Sequence, residues 1–155
     1  MSPSSLAAAL AALFSIQALL MFWDEWGYHR KRGLGAWERW GHPIDSIIYA
    51  AALALPAFAP PAAGPIRAYV VLAALSCLVI TKDEWVHTRE CAAGEHWVHA
   101  LLFIVHPLVL IAAGLLWLEN EALVARRLLP VSIAAFALYQ LAYWLPRHAP
   151  ARSRI

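Results

Sequence analysis

Residues 81–106 read TKDEWVHTRECAAGEHWVHALLFIVH: four carboxylates and four histidines crowd into one stretch of a chain that is otherwise largely apolar. The apolar part continues as WVHALLFIVHPLVLIAAGLLWL to residue 118. A run of that length reaches across the hydrocarbon core of a bilayer, which takes roughly 20 helical residues. An ionisable cluster therefore stands at the head of a membrane span. Residues 22–45, FWDEWGYHRKRGLGAWERWGHPID, repeat the pattern.

Composition agrees. The 155 residues are 62% hydrophobic and 14% charged, with a mean hydropathy of +0.59. Soluble domains carry about a quarter charged residues, so this chain lacks the polar material to cover itself in water. Five spans are predicted, at about 5–23, 44–58, 66–81, 97–118 and 128–145. The second ends where Pro56, Pro60, Pro61, Gly64 and Pro65 interrupt helix. The third is short, and Arg67 is expected to snorkel. Span one is Ala-rich, but no Lys or Arg precedes it and no small-residue cleavage site separates it from Asp24. It is therefore read as a retained span rather than a signal peptide.

The fold expected is an all-α integral membrane protein in a single domain. Two parallel helical-hairpin repeats, about 5–63 and 66–118, form a four-helix bundle, and a fifth helix at about 128–146 lies outside it. Basic residues set the orientation. Of the 12 Lys and Arg, all but Arg67, Arg126 and Arg127 fall in the linkers after spans one and three or in the tail. That side is expected to be cytoplasmic, with the N-terminus outside, in a bacterial inner membrane. Trp23, Trp26, Trp37, Trp40, Trp85, Trp97 and Trp144 anchor the same boundary, leaving Trp117 for the other. A net charge of +2 is too small to argue for nucleic acid, and the basic residues suit anionic headgroups. Cys77 and Cys91 give no disulfide framework.

Aligning the two stretches sets Asp24-Glu25-Trp26 against Asp83-Glu84-Trp85. His29 then faces His87, and Glu38…His42 faces Glu95…His99. Helical stripes join Glu25 with His29, Glu84 with His87, and Glu95 with His99 and His106. Glu38, His42, Asp45 and Tyr49 share a stripe provided the helix continues through Pro43. Crowded carboxylates repel one another, and cations relieve that repulsion. The candidate ligands are Glu25, His29, Glu38, His42, Asp45, Glu84, His87, Glu95, His96, His99 and His106. Of these, Glu25, His29, His42, Glu84, His87, Glu95 and His99 rank highest. His106 lies about 10 Å deeper than His99 at 1.5 Å per residue, and His96 sits off the stripe. Asp24 and Asp83 are expected to pair with Arg30 or Arg89, and Gln17 and Ser76 to join helices by hydrogen bonds.

Carboxylate and imidazole donors suit iron, manganese or zinc. Glu84-Trp-Val-His87 is similar to the Glu-x-x-His element of ferritin-like di-iron proteins, although the next element here is Glu-x-x-x-His. The donors are numerous enough to predict two metal ions, iron favoured. The function expected is a membrane oxidoreductase that takes an apolar or lipid-like substrate from the bilayer. The alternatives are a metal carrier or sensor, for which a homo-oligomer could complete a path, a haem protein passing electrons, and salt-bridged turns without metal.

Overall fold

In the computed structural model, residues 2–84, 88 and 91–146 are described. All their regular structure is helical. Helix α1 (Pro3–Trp23) runs on through a π-helical turn (Asp24–His29) into Arg30–Arg32. It is followed by α2 (Ala36–Phe58), α3 (Ala63–Val79) with a 3-10 end (Ile80–Asp83), α4 (Ala93–Leu118) and α5 (Leu123–Trp144).

Among the described residues, four helical stretches are long and apolar enough to cross a membrane: Pro3–Arg32, Ala63–Lys82, Ala93–Leu118 and Leu123–Trp144. Leu19, Val70, Val71, Trp97, Ile104, Val124 and Leu138 stand exposed on their outer faces, a surface that lipid tolerates and water penalises. Helix α2 is not one of the four, since Glu38, Arg39 and Asp45 occupy its first half. It also begins at Ala36 rather than near residue 44. Glu38 explains the early start: its carboxylate accepts from the Gly35 N–H at 3.0 Å, which caps the first turn. The helix then continues through Pro43.

Packing crosses the predicted hairpins. Helix α1 packs chiefly on α4, while α2 packs chiefly on α5 and then on α3. The α2–α5 contact is the most extensive among the described residues, so α5 is part of the bundle rather than an addition outside it. Polar side chains explain the exchange of partners, because those of α1 bond across to α4: Asp24 meets His99, and Gln17 meets His106. Helix α4 is the central element, and its buried Val105, Val109, Ala113, Leu116 and Trp117 pack with Leu10, Tyr49, Leu53 and Tyr69.

The end remote from the charged cluster closes by side-chain capping. Pro60 has no N–H to offer the Pro56 carbonyl four residues back. The Arg126 guanidinium donates to that oxygen instead, and also to Glu121 O at 2.7 Å. Trp117 Nε1 donates to Ala59 O at 2.8 Å. Arg126 is thereby a buried structural cation on α5.

Candidate metal centre

The π-helical turn decides which side chains converge. In an α-helix Glu25 and His29, four apart, share a face, whereas Asp24, five back from His29, does not. A π turn hydrogen-bonds i to i+5, and such turns occur frequently at functional sites. Here it aims both Asp24 and Glu25 at the imidazole. Asp24 Oδ2 lies 3.2 Å from His29 Nε2, and Glu25 Oε2 lies 3.6 Å from His29 Nδ1.

Helix α4 supplies the opposing half, one turn apart on one stripe. Glu95 Oε1 is 3.6 Å from His29 Nε2, and His99 Nε2 donates to Asp24 Oδ2 at 2.9 Å. Asp24, His29, Glu95 and His99 each place one donor atom so that all four lie within 4.8 Å of one another. All four residues are buried. His29 is 3% exposed, and its Nε2 makes no hydrogen bond among the described residues, although two carboxylate oxygens stand near it. Only the His99–Asp24 pair is hydrogen-bonded within this set, and the carboxylate oxygens gathered about His29 Nε2 without bonding it suit a shared cation.

Cationic side chains ring the cluster. The Arg32 guanidinium donates to Glu38 Oε1 at 2.7 Å, to Glu38 Oε2 at 3.0 Å and to Glu95 Oε1 at 2.8 Å. Glu25 accepts from Tyr139 OH at 2.5 Å and from Trp144 Nε1 at 3.1 Å, both on α5, with Arg30 Nε 3.7 Å away. Arg30 itself lies over the rings of Trp26 and Tyr143. The His42 ring stacks on His29 with centroids 4.7 Å apart. Burial pushes the Glu38 carboxyl up, but hydrogen bonds and charge from Arg32, with the Gly35 N–H, push it down further, and the net direction is below the ordinary 4.5. A carboxyl depressed on folding adds stability above its unfolded value and loses it as pH falls through the folded one. The thermal midpoint of the protein should therefore exceed that of Glu38→Gln by most above pH 5. The gap should narrow steadily once pH drops below the ordinary value, and a gap independent of pH would remove the Arg32–Glu38 pair from the stability of this end.

The remaining predicted ligands separate into groups. Glu25, His29, Glu38, His42, Glu95 and His99 come together. Asp45 pairs with Lys82 beside them, and His96 is half-buried. Glu84 is exposed although its sequence counterpart Glu25 is buried. His87, Arg89 and Glu90 lie outside the described residues, as does the Asp83 side chain. His106 is engaged through both ring nitrogens. The Gln17 amide donates to Nδ1 at 3.1 Å, so Nε2 carries the proton and donates to Ser76 Oγ at 2.9 Å. Tyr49 completes this deeper set, its OH donating to Gln17 Oε1 at 2.9 Å.

Sequence reasoning missed Asp24, which it paired with Arg30, along with Arg32, Tyr139 and Trp144. Only the π register revealed Asp24. The α5 partners of Glu25 had no sequence signal, because α5 was read as peripheral. A cavity of about 110 Å³ joins the two polar sets, bounded by Asp24, His29 and His99 at one end and by Gln17, Tyr49 and His106 at the other. No protein-family model matches the chain, and no curated protein or solved structure is significantly similar to it.

Proposed function

We propose that this is an integral membrane metalloprotein holding one divalent ion, iron in preference to manganese or zinc, between Asp24, His29, Glu95 and His99. Its activity is oxidoreduction of an apolar substrate that enters from the bilayer. The observation that carries the reading is the convergence of four buried donor atoms within 4.8 Å, among them an imidazole nitrogen that no hydrogen bond from the described residues satisfies. Two imidazoles and two carboxylates suit iron, manganese or zinc. Iron adds redox chemistry, and the apolar bundle would shield reactive states from water.

Charge balance favours one ion over the two expected from the sequence. Asp24, Glu25, Glu38 and Glu95 contribute four negative charges. Arg32, paired with Glu38 and Glu95, and Arg30, beside Glu25, return two positive ones. One divalent cation closes the difference with both histidines neutral. Glu25 then serves as the partner of His29 Nδ1 that fixes the ring for coordination. A haem would need a slot far larger than the 110 Å³ cavity. The basic linkers support placing the centre at the cytoplasmic face.

The test is elemental analysis of protein purified in detergent without chelators. About one equivalent of iron per chain with no Soret absorption is expected. Binding should weaken as pH falls and protons compete for His29 and His99. Metal-free protein that takes up no added Fe(II), Mn(II) or Zn(II) would sink the reading.

A further inference from the structure

The cavity below the metal centre is built asymmetrically. Away from the ionisable cluster, in which His42 and Asp45 are half-buried, its polar lining, Gln17, Ser46, Tyr49, His106 and Gln140, is buried, whereas its apolar lining, Met21, Ile80, Leu102, Phe103 and Phe136, is half-buried. Most of the polar groups are already committed to one another. The Gln140 carboxamide is the exception. Its Oε1 accepts from Ser46 Oγ at 2.8 Å, which fixes the amide plane. Its Nε2, in a side chain 5% exposed, makes no hydrogen bond among the described residues. The amide lines the cavity with donors available, and an acceptor placed in that space would take them up.

Three observations define that acceptor. The cavity is about 110 Å³, somewhat below the roughly 150 Å³ of an apolar cavity that holds benzene, so the space takes at most a single ring, with the half-buried apolar wall giving way to it. Phe103 and Phe136 offer aromatic walls. The cations nearby, Arg32 and Lys82, are held by Glu38, Glu95 and Asp45, and the cavity is lined by the carboxylates of Asp24, Glu25 and Asp45, which disfavours an anion.

We propose that this cavity binds an uncharged, ring-sized molecule bearing a hydroxyl or carbonyl oxygen, with that oxygen accepting from Gln140 Nε2 and the ring lying against Phe103 and Phe136. Entry is lateral, past the half-buried apolar wall, and the ring comes to rest beside Asp24, His29 and His99. That the bound molecule is the substrate rests on the metal reading; that the cavity binds it does not.

The experiment is a fluorine NMR titration of 4-fluorophenol into the full chain in lipid nanodiscs, corrected against empty nanodiscs, with the protein as purified and after chelator treatment. Saturable binding is expected in both samples, with 4-fluorotoluene at least about tenfold weaker because it leaves the Gln140 donors unpaired. Gln140→Met should weaken phenol binding about tenfold. Should that variant lose its helical circular dichroism, Ser46→Ala, which releases the amide plane, should weaken binding severalfold. Partition indistinguishable from empty nanodiscs, equal binding of 4-fluorotoluene, equally tight binding of 4-fluorobenzoate to the chelated protein, or a variant that binds phenol as well as wild type overturns the proposal. Elemental analysis of the same samples separates the two readings. Phenol binding without metal uptake sinks the metal centre and leaves the cavity. Metal without phenol binding does the reverse.

Discussion

Asp24→Asn should leave the helical content unchanged and reduce metal affinity by more than about 100-fold. The bounding magnitude comes from the residues that merely orient metal ligands, whose loss costs about 10–100-fold; removal of a donor should exceed it. Asparagine keeps the size of the side chain and its hydrogen-bonding oxygen, so His99 retains a partner and the π turn need not rearrange. What disappears is the negative charge of the oxygen that faces both imidazoles, 2.9 Å from His99 Nε2 and 3.2 Å from His29 Nε2, which leaves a neutral amide oxygen in place of an anionic donor. The informative contrast is Glu84→Ala. Sequence alignment equates Glu84 with Glu25 and ranks it as a ligand, yet it is exposed. Metal analysis and a competition titration on both variants should give wild-type stoichiometry for Glu84→Ala and a metal-poor Asp24→Asn. Equal losses would return the site to the two-hairpin arrangement, and full metal in Asp24→Asn would remove the four-donor centre.

The difference between those two carboxylates marks how far the sequence can be read. Apolar runs separated by prolines and charged turns locate most helix ends closely, because hydrocarbon length and the missing proline N–H are local constraints, but they miss the polar first turns of α2, which begins at Ala36. The stripe Glu95–His99 was legible for the same reason, since α4 is regular there. Asp24 was hidden because spacing rules assume 3.6 residues per turn, and the chain departs from that number at the site itself. Arg32 was counted as a headgroup contact because a basic residue after a span usually is one. Its burial between Glu38 and Glu95 depends on α2 and α4 approaching it together, and nothing local encodes that. The duplication misled for a related reason. Similar sequence does not require similar surroundings, and α1 pairs with α4 instead of with its own hairpin partner.

Arg32→Met should be the most destabilising of the substitutions around the centre, by about 3–5 kcal/mol in the absence of metal, the usual consequence of removing one partner from a buried ion pair. Methionine fills much of the same space without charge. It leaves Glu38 and Glu95, both of which approach Nη2 within 2.8 Å, facing each other without a cation in a region that water hardly reaches. The sign of the metal effect then distinguishes two roles for the guanidinium. If Arg32 stands where a second ion would otherwise sit, its removal creates a site for one. The variant should take up close to two divalent ions per chain where wild type takes one. Excess Mn(II) or Fe(II) should also raise its thermal midpoint by more than it raises that of wild type, as ligand linkage requires for a site present only in the folded state. Arg32→Lys provides the control, because it keeps the charge but not the fork that reaches both carboxylates. It should hold one ion and recover part of the stability. If Arg32→Met binds a single ion and gains no more from excess metal than wild type does, Arg32 is an ordinary ion-pair partner. The charge argument for a one-ion centre would then lose its main support.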